Sequence, residues 1–584
     1  MIFTQKANHR IKRILLYLLI LVPPLILGWL IWRYGVNLPY WDQWDTPGRL
    51  IVEATHASLS QEQWMRQHNE SRTLFPNLVF LSLANLTNWN NRYEMLVTFI
   101  LACLVAYNIY RLSRITLDRD WQHLICFLLA SLLIFSPTQH ENWLWGFQGV
   151  AFITIAAITT SLVVIFSATP WIAKLIVSCL LSAIATFSFA NGVLCWLLII
   201  PALLLKAVED KFKKIWVIFW WLIASSFTLT IYLYDYQRGA SSASLTQVFT
   251  QPKLAISYYF ALLGSPIFPY DLLASQITGL AIAFIFVACC FYLLIKRRNI
   301  LTINRSLPWI LLGCYTLLSA GLTTAGRIHF GIETALSSRY ISFAIYLTIA
   351  IIYLFAIILK TNANRVWLKI IVSLLTALLI VTCRNNFLLG IESMTRSHYQ
   401  RVYGKTCLMT MDLIGDTECI SLYVHPVIEH IETRVRRLDE VGLLQPGFID
   451  NINWQKSTQN SPNQYGESNN FLHNQDGSYL ASGWTYATTP EMSFDAVILA
   501  YQTDSQPRKA FAIAQLQPEE KDILKLSVNP QNTKLTWNET IAKGVIPQQA
   551  EITAWVFNTN NAEAYPLQSF VSQVISKSIA IDRF

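Results

Sequence analysis

Two carboxylates stand among aromatic residues where the chain leaves its first long apolar stretch. Residues 40–45 read YWDQWD, which places Asp42 and Asp45 three positions apart. The Asp-Thr-Pro sequence that begins at Asp45 is typical of a helix start, so this side chain can serve as an N-cap as well as in catalysis. No cap explains Asp42, which is therefore the stronger candidate for acid–base chemistry, with a solvated loop acid as the alternative.

A second acid, Glu141, lies in a different polar segment. Residues 136–148 read SPTQHENWLWGFQ and also contain the candidate substrate ligands Gln139, His140 and Gln148. The tryptophans of this segment can alternatively form an aromatic belt at a membrane surface. Acids from two separate loops suit general acid–base catalysis or a divalent cation with oxygen ligands, so the sequence leaves the cofactor open.

A third polar segment combines a histidine, an acid and an arginine. Residues 66–72 read RQHNESR. His68 and Arg72 are four positions apart and would share one face of a helix, with Glu70 between them. All three are candidates for substrate binding.

A late polar segment supplies two more arginines. Residues 325–340 read AGRIHFGIETALSSRY and contain Arg327, Arg339 and Tyr340. The planar guanidinium group makes two hydrogen bonds to a phosphate at once, so this segment is a candidate phosphate site. An arginine at the end of a membrane span can instead extend toward lipid head groups.

Composition indicates that membrane helices position these segments. Of the 584 residues, 53% are hydrophobic and 14% are charged, whereas a soluble protein has about 25% charged residues. The net charge of +9 is explained by basic cytoplasmic loops and does not indicate nucleic-acid binding. We predict about eleven spans, at residues 14–35, 93–110, 123–136, 147–167, 171–189, 192–206, 214–234, 272–295, 307–324, 341–359 and 366–383.

Charge also predicts the orientation of these spans. Lysine and arginine collect in short connections near residues 111–119, 206–214, 296–305 and 360–369, which the positive-inside rule assigns to the cytoplasm. The first apolar run shows no small-residue cleavage site, so we interpret it as a retained anchor with a cytoplasmic N-terminus. The polar segments and the C-terminal part then face the outer side.

Residues 1–384 are predicted to form the transmembrane domain. Its first outer loop, residues 36–92, is long enough to carry surface helices. We expect one helix at residues 47–58 and a second that begins with a capping box formed by Ser60 and Gln63.

The remainder is predicted to be an extracytoplasmic α+β tail. Residues 385–445 show helical periodicity, and within them Cys407 and Cys419 can form a disulfide on the oxidising side of a membrane. Residues 446–584 contain short strand-like runs broken by Asn, Pro, Gly and Asp, which predicts a β-sandwich.

The chain resembles the GT-C superfamily of polytopic glycosyltransferases, which take sugars from polyprenyl-phosphate donors. The resemblance spans about residues 14–384 and is carried by YWDQWD, QHNESRTLFP, ENWLWGFQ and GRIHFG…SSRY, which are also similar to a group of bacterial GT-C-like membrane proteins. It implies the bacterial cytoplasmic membrane as the location. The second outer loop departs from the family pattern because it has one acid among Gln, His and Asn.

The resemblance implies specific roles for several residues. Asp42, with Asp45 beside it, would act as the base toward the acceptor or help to hold a metal. Glu141 would be the second-loop acid, and Arg327 and Arg339 would bind the donor phosphate.

The function predicted from the residues and the resemblance together is transfer of a sugar from a polyprenyl-phosphate donor to a glycan, lipid or protein acceptor at the outer membrane face. A transporter or flippase for lipid-linked glycans is a second hypothesis, although transporters need ionisable residues near the membrane centre, where this chain has few. A non-enzymatic envelope assembly protein is the third.

Overall fold

The computed structural model describes residues 2–118, 121–207, 210–237, 245–296, 300–362, 364–449, 452–455, 465–487, 493–503, 506–528, 533–547 and 550–568. Parts of the basic connections predicted to be cytoplasmic, including Arg119, Arg297 and Arg298, lie outside these residues. The chain divides into two compact units. The first comprises Met1–Arg33, Leu59–Phe80 and Tyr93–Gly390, and the second comprises Tyr34–Ser58, Leu81–Arg92 and Ile391–Phe584.

Helices account for most of the described chain. Numbered in order, they are α1 (Ile2–Tyr34), α2 (Asp42–Asp45), α3 (Gly48–His56), α4 (Gln61–Trp64), α5 (Leu74–Thr87), α6 (Asn91–Thr116), α7 (Trp121–Ile134), α8 (His140–Leu144), α9 (Gly149–Ile165), α10 (Trp171–Thr186), α11 (Leu194–Ala202), α12 (Lys211–Leu233), α13 (Leu245–Thr250), α14 (Pro252–Gly264), α15 (Leu272–Ile295), α16 (Ile300–Arg327), α17 (Ser338–Thr361), α18 (Val366–Met409), α19 (Thr417–Tyr423), α20 (Ile428–Glu440) and α21 (Ile523–Val528).

The strands are short in the first outer loop and longer in the C-terminal part. They are β1 (Gln67–His68), β2 (Ser71–Arg72), β3 (Asn453–Trp454), β4 (Gly466–His473), β5 (Tyr479–Tyr486), β6 (Ala496–Thr503), β7 (Gln506–Gln515), β8 (Gln517–Pro518), β9 (Lys534–Ile541), β10 (Glu551–Asn558) and β11 (Glu563–Pro566).

Nine helical segments of the described residues are long and apolar enough to cross a membrane. They are Ile11–Tyr34, Asn91–Thr116, Trp121–Leu144, Gly146–Ile165, Lys211–Leu233, Leu272–Ile295, Ile300–Phe330, Ser338–Thr361 and Val366–Met409. The chain is thus a helical membrane protein with a strand-rich C-terminal part, which confirms the predicted class.

Two segments predicted to be spans, residues 171–189 and 192–206, are shorter apolar helices in the structure. They cover Trp171–Thr186 and Ala190–Lys206. The 16 residues of the first helix extend about 24 Å at 1.5 Å per residue, which is less than the hydrocarbon thickness of about 30 Å. In the second, 3₁₀ and π turns flank the α-helical part, which itself contains Pro201.

Two prolines interrupt the hydrogen-bond ladder inside the first apolar helix. Pro23 and Pro24 lie within α1, and a proline cannot donate to the carbonyl four residues before it. Pro24 therefore leaves the Ile20 carbonyl without its usual donor. The Ser131 hydroxyl, on α7, donates to this oxygen at 3.2 Å.

The first unit is organised around α17, whose apolar stretch is 89% buried. Its Tyr353 ring stacks on the Trp309 ring of α16 with a centroid separation of 3.7 Å. The Trp309 indole donates to the Thr116 hydroxyl at 3.1 Å, so α6 is tied to the same cluster. Packing against α16 and α6 therefore holds α17 in place, and with it Ser338 and Arg339 at its N-terminal end.

Helices α14 and α15 approach each other through glycine. A Cβ atom at Gly279 would lie 1.9 Å from the Phe260 carbonyl oxygen, and one at Gly264 would lie 1.9 Å from the Ser275 carbonyl oxygen. Larger residues cannot be accommodated at this separation. The close packing fixes α14, which carries Tyr258.

The first outer loop differs in two places from the prediction. Helix α3 begins at Gly48, and Pro47 occupies its N-cap position without a side-chain cap, so the proposed capping role of Asp45 is wrong. His68 and Arg72 lie on the antiparallel pair β1–β2 and not on one helix face. The predicted capping box is present, because Ser60 accepts from the Gln63 amide and Gln63 accepts from the Ser60 amide.

Two antiparallel-dominated sheets form the strand-rich part of the second unit. One has the strand order β3-β11-β10-β6-β7, and the other has the order β4-β5-β9-β8. Both sheets contribute buried residues, including Val497, Trp537 and Val556, to one hydrophobic core. A disulfide joins Cys407 at the end of α18 to Cys419 in α19, the pairing that the sequence allows.

Candidate functional site

Glu70 and Arg327 form an ion pair in the first unit. The tight turn between β1 and β2 presents Glu70, and Arg327 is the last residue of α16. Arg327 Nη2 lies 2.7 Å from Glu70 Oε2, and each side chain is about a quarter exposed. Among the described residues Glu70 Oε1 has no hydrogen-bond partner, although it is buried. This oxygen retains full capacity to accept a hydrogen bond or a proton.

The chain after Arg327 buries a histidine that also has unused hydrogen-bonding capacity. His329 lies in the 3₁₀ turn Ile328–Phe330, which ends at Gly331 with φ +96°, a backbone conformation suited to glycine. Within the described chain, neither ring nitrogen of His329 has a hydrogen-bond partner, and both are buried. Buried polar atoms without partners are rare in native proteins, so a water molecule, an ion or a ligand is expected to satisfy these nitrogens.

Glu141 and Arg339 form another ion pair in the first unit. Arg339 Nη1 donates to Glu141 Oε1 at 2.9 Å. Glu141 Oε2 accepts from the Ser338 hydroxyl at 2.8 Å and from the Arg339 amide at 3.1 Å. Both carboxylate oxygens are thus occupied by donors from the start of α17. Glu141 is therefore better suited to position Arg339 than to accept a proton.

Tyr258 lies within electrostatic range of the arginines of both ion pairs. Its hydroxyl lies 3.1 Å from the Thr334 hydroxyl. Burial raises the pKa of Tyr258, while the charges of Arg339 and Arg327 act on it in the opposite direction. Both guanidinium groups therefore lie within electrostatic range of one phenol. We call Glu70, Arg327, His329, Glu141 and Arg339 the paired-arginine site.

Three other predicted ligands lie in the polar segment around Glu141. Gln139 is fully buried and donates to the Leu133 and Ile134 carbonyls at the end of α7, at 3.2 and 3.0 Å. His140 begins α8 directly before Glu141. Gln148 is buried within the protein, as expected for a residue that does not face lipid. The amide nitrogen of Gln139 thus caps the C-terminal end of α7, while its role as a substrate ligand stays a prediction.

Tyr340 and His68 make aromatic contacts in the same unit. The Arg339 guanidinium lies 5.2 Å from the centroid of the Tyr340 ring. The His68 ring meets Phe147 edge-on at 5.0 Å. Tyr340 therefore helps to orient Arg339, and His68 connects the β1–β2 turn to the segment that follows Glu141.

Arg72 has a structural role in the first unit. Its buried guanidinium donates to the Tyr232 carbonyl at 2.8 Å and also to the carbonyls of Met65 and Tyr234. These bonds direct its donors toward backbone oxygens and favour a structural role for Arg72 over substrate binding.

We predict that Arg72→Lys lowers the free energy of unfolding by about 3 kcal/mol, because one ammonium group cannot replace a fork of donors to three carbonyls. Thermal unfolding of the full chain in detergent measures this loss. A melting temperature equal to that of the wild type would contradict this structural role.

The two aspartates of the YWDQWD segment belong to the second unit. Asp42 is the first residue of α2, and its main-chain carbonyl accepts from the Thr46 amide at 2.7 Å. Asp45 has specific side-chain partners in this unit. Arg434 Nη1 lies 2.7 Å from its Oδ1, and His425 Nε2 lies 3.1 Å from its Oδ2. Asp45 is therefore part of an ion-pair cluster.

The Asp45 cluster should make stability depend on pH. Burial alone would raise the pKa of Asp45, but hydrogen bonds from His425 and Arg434 and their charges lower it well below its usual value. A carboxylate with a lowered pKa stabilises the fold above the pKa of the unfolded chain, about 3.9, and loses this effect as the pH falls further. Because the side chain is 40% exposed, solvent screening limits the effect to about 1 kcal/mol.

We therefore predict that Asp45→Asn lowers the free energy of unfolding by about 1 kcal/mol at pH 7. The difference in stability between this variant and the wild type should become smaller below about pH 4. Thermal melts of both proteins between pH 7 and pH 3 measure the difference. A difference that is constant with pH would show that the ion pairs are not its cause.

The sequence points to His329 only as a basic residue of the late polar segment, and it does not indicate Ser338, Tyr258, His425 or Arg434 as site residues. His329 and Ser338 lie inside the late polar segment, where a cluster of polar residues between glycine and serine was visible. Tyr258 and Arg434 lie in helices whose sequences give no comparable signal. Their partners are distant along the chain, as the 389 positions between Asp45 and Arg434 show.

The described residues offer one group of three potential metal ligands, namely Cys407, Asp416 and Cys419. The disulfide occupies both sulfur atoms of this group. In the paired-arginine site the carboxylates contact arginine, whose positive charge takes the place that a divalent cation would have beside two acids.

Comparison with known proteins gives no match to a family model, a curated protein or a solved structure. The function is therefore argued from the chemistry of the site.

Proposed function

We propose that this chain is a membrane glycosyltransferase. It would move a sugar from a polyprenyl-phosphate donor to a glycan, lipid or protein acceptor at the outer face of the cytoplasmic membrane. The observation that carries the proposal is the paired-arginine site, in which two guanidinium groups lie near one phenol and buried polar atoms of Glu70 and His329 have no partner among the described residues.

Arg327 and Arg339 would bind the donor phosphate. Each already has a carboxylate partner that fixes its position, so little reorganisation is needed when the phosphate arrives. The Glu141 carboxylate accepts hydrogen bonds from both the guanidinium group and the backbone amide of Arg339. The polyprenyl chain would lie in the membrane, beside the apolar helices.

Glu70 would accept the proton of the acceptor hydroxyl. As the hydroxyl oxygen attacks the anomeric carbon, its proton moves to Glu70 and the bond between that carbon and the phosphate oxygen breaks. The polyprenyl phosphate leaves with the electron pair of this bond, and the two arginines stabilise its charge. His329 is available to bind an acceptor or phosphate oxygen. Asp42, the base implied by the resemblance, is the alternative proton acceptor.

The proposal includes the predicted topology of about eleven spans. The N-terminus would be cytoplasmic, and the strand-rich part would be an extracytoplasmic β-sandwich. The disulfide between Cys407 and Cys419 supports this orientation, because such bonds persist in oxidising compartments. The basic connections provide independent support through the positive-inside rule.

The proposal is tested in cells that lack the chain and are then supplied with it again. Mass spectrometry should show one sugar missing from an envelope product and its polyprenyl-phosphate donor accumulating. The purified chain in lipid nanodiscs should then consume the donor extracted from those cells. A flippase would leave the extracted donor intact, and an assembly protein would cause no donor to accumulate.

A further inference from the structure

An apolar cavity lies in the first unit, away from the paired-arginine site. It has a volume of about 270 Å³ and is lined by α15, α17, the connection between α17 and α18, and the first turn of α18. Helix α15 contributes Phe284, Ala288 and Tyr292, α17 contributes Phe355, and the connection contributes Asn362 and Arg365. The spacing of the α15 residues places them along one face of that helix.

The cavity is polar at one end only. Tyr292 and Asn362 close this end through hydrogen bonds of 2.8 and 3.1 Å between the phenol and the amide. Arg365 is the one charged residue of the lining, and no acid accompanies it there. Lys369 follows one helical turn later, so the positive charge continues along the surface.

This end is remote from the proposed catalytic chemistry. Arg339 lies at the start of α17, and Asn362 directly follows its last residue. The 24 residues of α17 extend about 36 Å, which is more than the hydrocarbon thickness of a bilayer. A phosphate bound at this end is therefore not the phosphate of the donor in the proposed reaction.

We propose that the cavity binds one acyl chain of an anionic phospholipid, whose phosphate contacts Arg365. Its apolar lining between long membrane helices suits a hydrocarbon chain. The positive charge of Arg365, which no acid of the described lining accompanies, suits an anionic head group, as in basic pockets between membrane helices. The inference is independent of the proposed glycosyl transfer.

Lipid retention by the full chain tests this assignment. The protein is placed in nanodiscs with equal amounts of phosphatidylglycerol and phosphatidylcholine of the same acyl chains, and the lipids that it retains are measured by native mass spectrometry. The wild type should retain phosphatidylglycerol preferentially. Arg365→Gln should reduce the ratio of the two retained lipids about fivefold, as expected for one basic residue near the membrane surface.

A second variant tests the acyl chain. Ala288→Phe places a ring in the cavity and should reduce retention of both lipids severalfold. Ala288 is exposed at the cavity wall, so the substitution does not disturb the core. Matched controls are Lys211→Gln and Ala281→Phe, which change an exposed lysine on α12 and an exposed alanine on α15 outside the cavity. Both controls should behave as the wild type.

Three results would overturn the proposal. The first is an unchanged lipid ratio in Arg365→Gln, which would show that Arg365 does not contact the head group. The second is unchanged lipid retention in Ala288→Phe, which would show that the acyl chain does not occupy the cavity. The third is displacement of phosphatidylglycerol by glycerol phosphate alone, which would indicate a site for free phosphate.

Discussion

Replacing Arg339 by glutamine is expected to reduce sugar transfer by about a hundredfold or more. One preorganised donor to a developing negative charge contributes a factor of about 10² to 10³ to the rate, and glutamine removes both the charge and the second N–H of the fork. The measurement is the rate at which label moves from polyprenyl-phosphate-linked sugar to the envelope product. Rates are normalised to folded protein.

A double variant separates this loss from a loss of stability. Arg339→Gln alone leaves the largely buried Glu141 carboxylate without its cation, which costs stability. Adding Glu141→Gln removes the unpaired charge, so the double variant should recover thermal stability while transfer stays low. If transfer also recovers, Arg339 has only a structural role.

Arg305→Gln is the matched control for this substitution. Arg305 belongs to the same unit and pairs with Asp118 at 2.9 Å, with 24% of its side chain exposed. It lies on α16, 22 residues before Arg327, which corresponds to about 33 Å along a helix. The control should lose one ion pair and keep transfer within about twofold of the wild type.

Glu70→Gln should lower the rate of transfer by a factor of about 10² to 10⁴, the usual contribution of a positioned general base. Glutamine keeps the size of the side chain, and its carbonyl oxygen can still accept from Arg327, so the phosphate site should stay assembled. Binding of undecaprenyl phosphate to the purified chain should therefore change little. Arg327→Gln, in contrast, should weaken this binding.

Two further variants show which acid accepts the proton. Glu333→Gln changes an exposed acid in the same late segment and should leave transfer unchanged. Asp42→Asn tests the alternative base. Wild-type rates in Glu70→Gln together with a loss of transfer in Asp42→Asn would assign the proton to Asp42 and reject Glu70.

Much of the fold is predictable from the sequence because membrane helices and strands leave strong local patterns. Long uncharged runs produced the helices that can span a membrane, and the alternating runs of the tail correspond to β5, β6, β7 and β10. The capping box at Ser60 was predictable for the same reason, since both partners lie within four residues. Local signals are weakest for short apolar helices such as α10, whose 16 residues are fewer than the roughly 20 of a usual membrane span.

The candidate site was predictable only in part. The residue types of Glu70, Arg327 and Glu141 suggested a binding or catalytic site. Which acid pairs with which arginine was not predictable, because partners such as Glu141 and Arg339 are 198 positions apart. The structural contacts of Arg72 were not predictable either. This residue stands in a polar sequence that suggests a ligand site, but the sequence does not reveal the backbone carbonyls to which its guanidinium group donates. A short hairpin such as β1–β2 also lacks the periodicity that distinguishes strand from helix.

The hydrogen bond from Ser131 to Ile20 has a consequence for the first helix. Apolar side chains that slide past one another would not fix the height or the rotation of α1 against its neighbours. A carbonyl without a donor is costly within hydrocarbon, so the bond from Ser131 favours one position of α1 relative to α7. The two prolines therefore help to fix how far α1 is shifted and rotated against α7, and Ser131→Ala would remove this constraint.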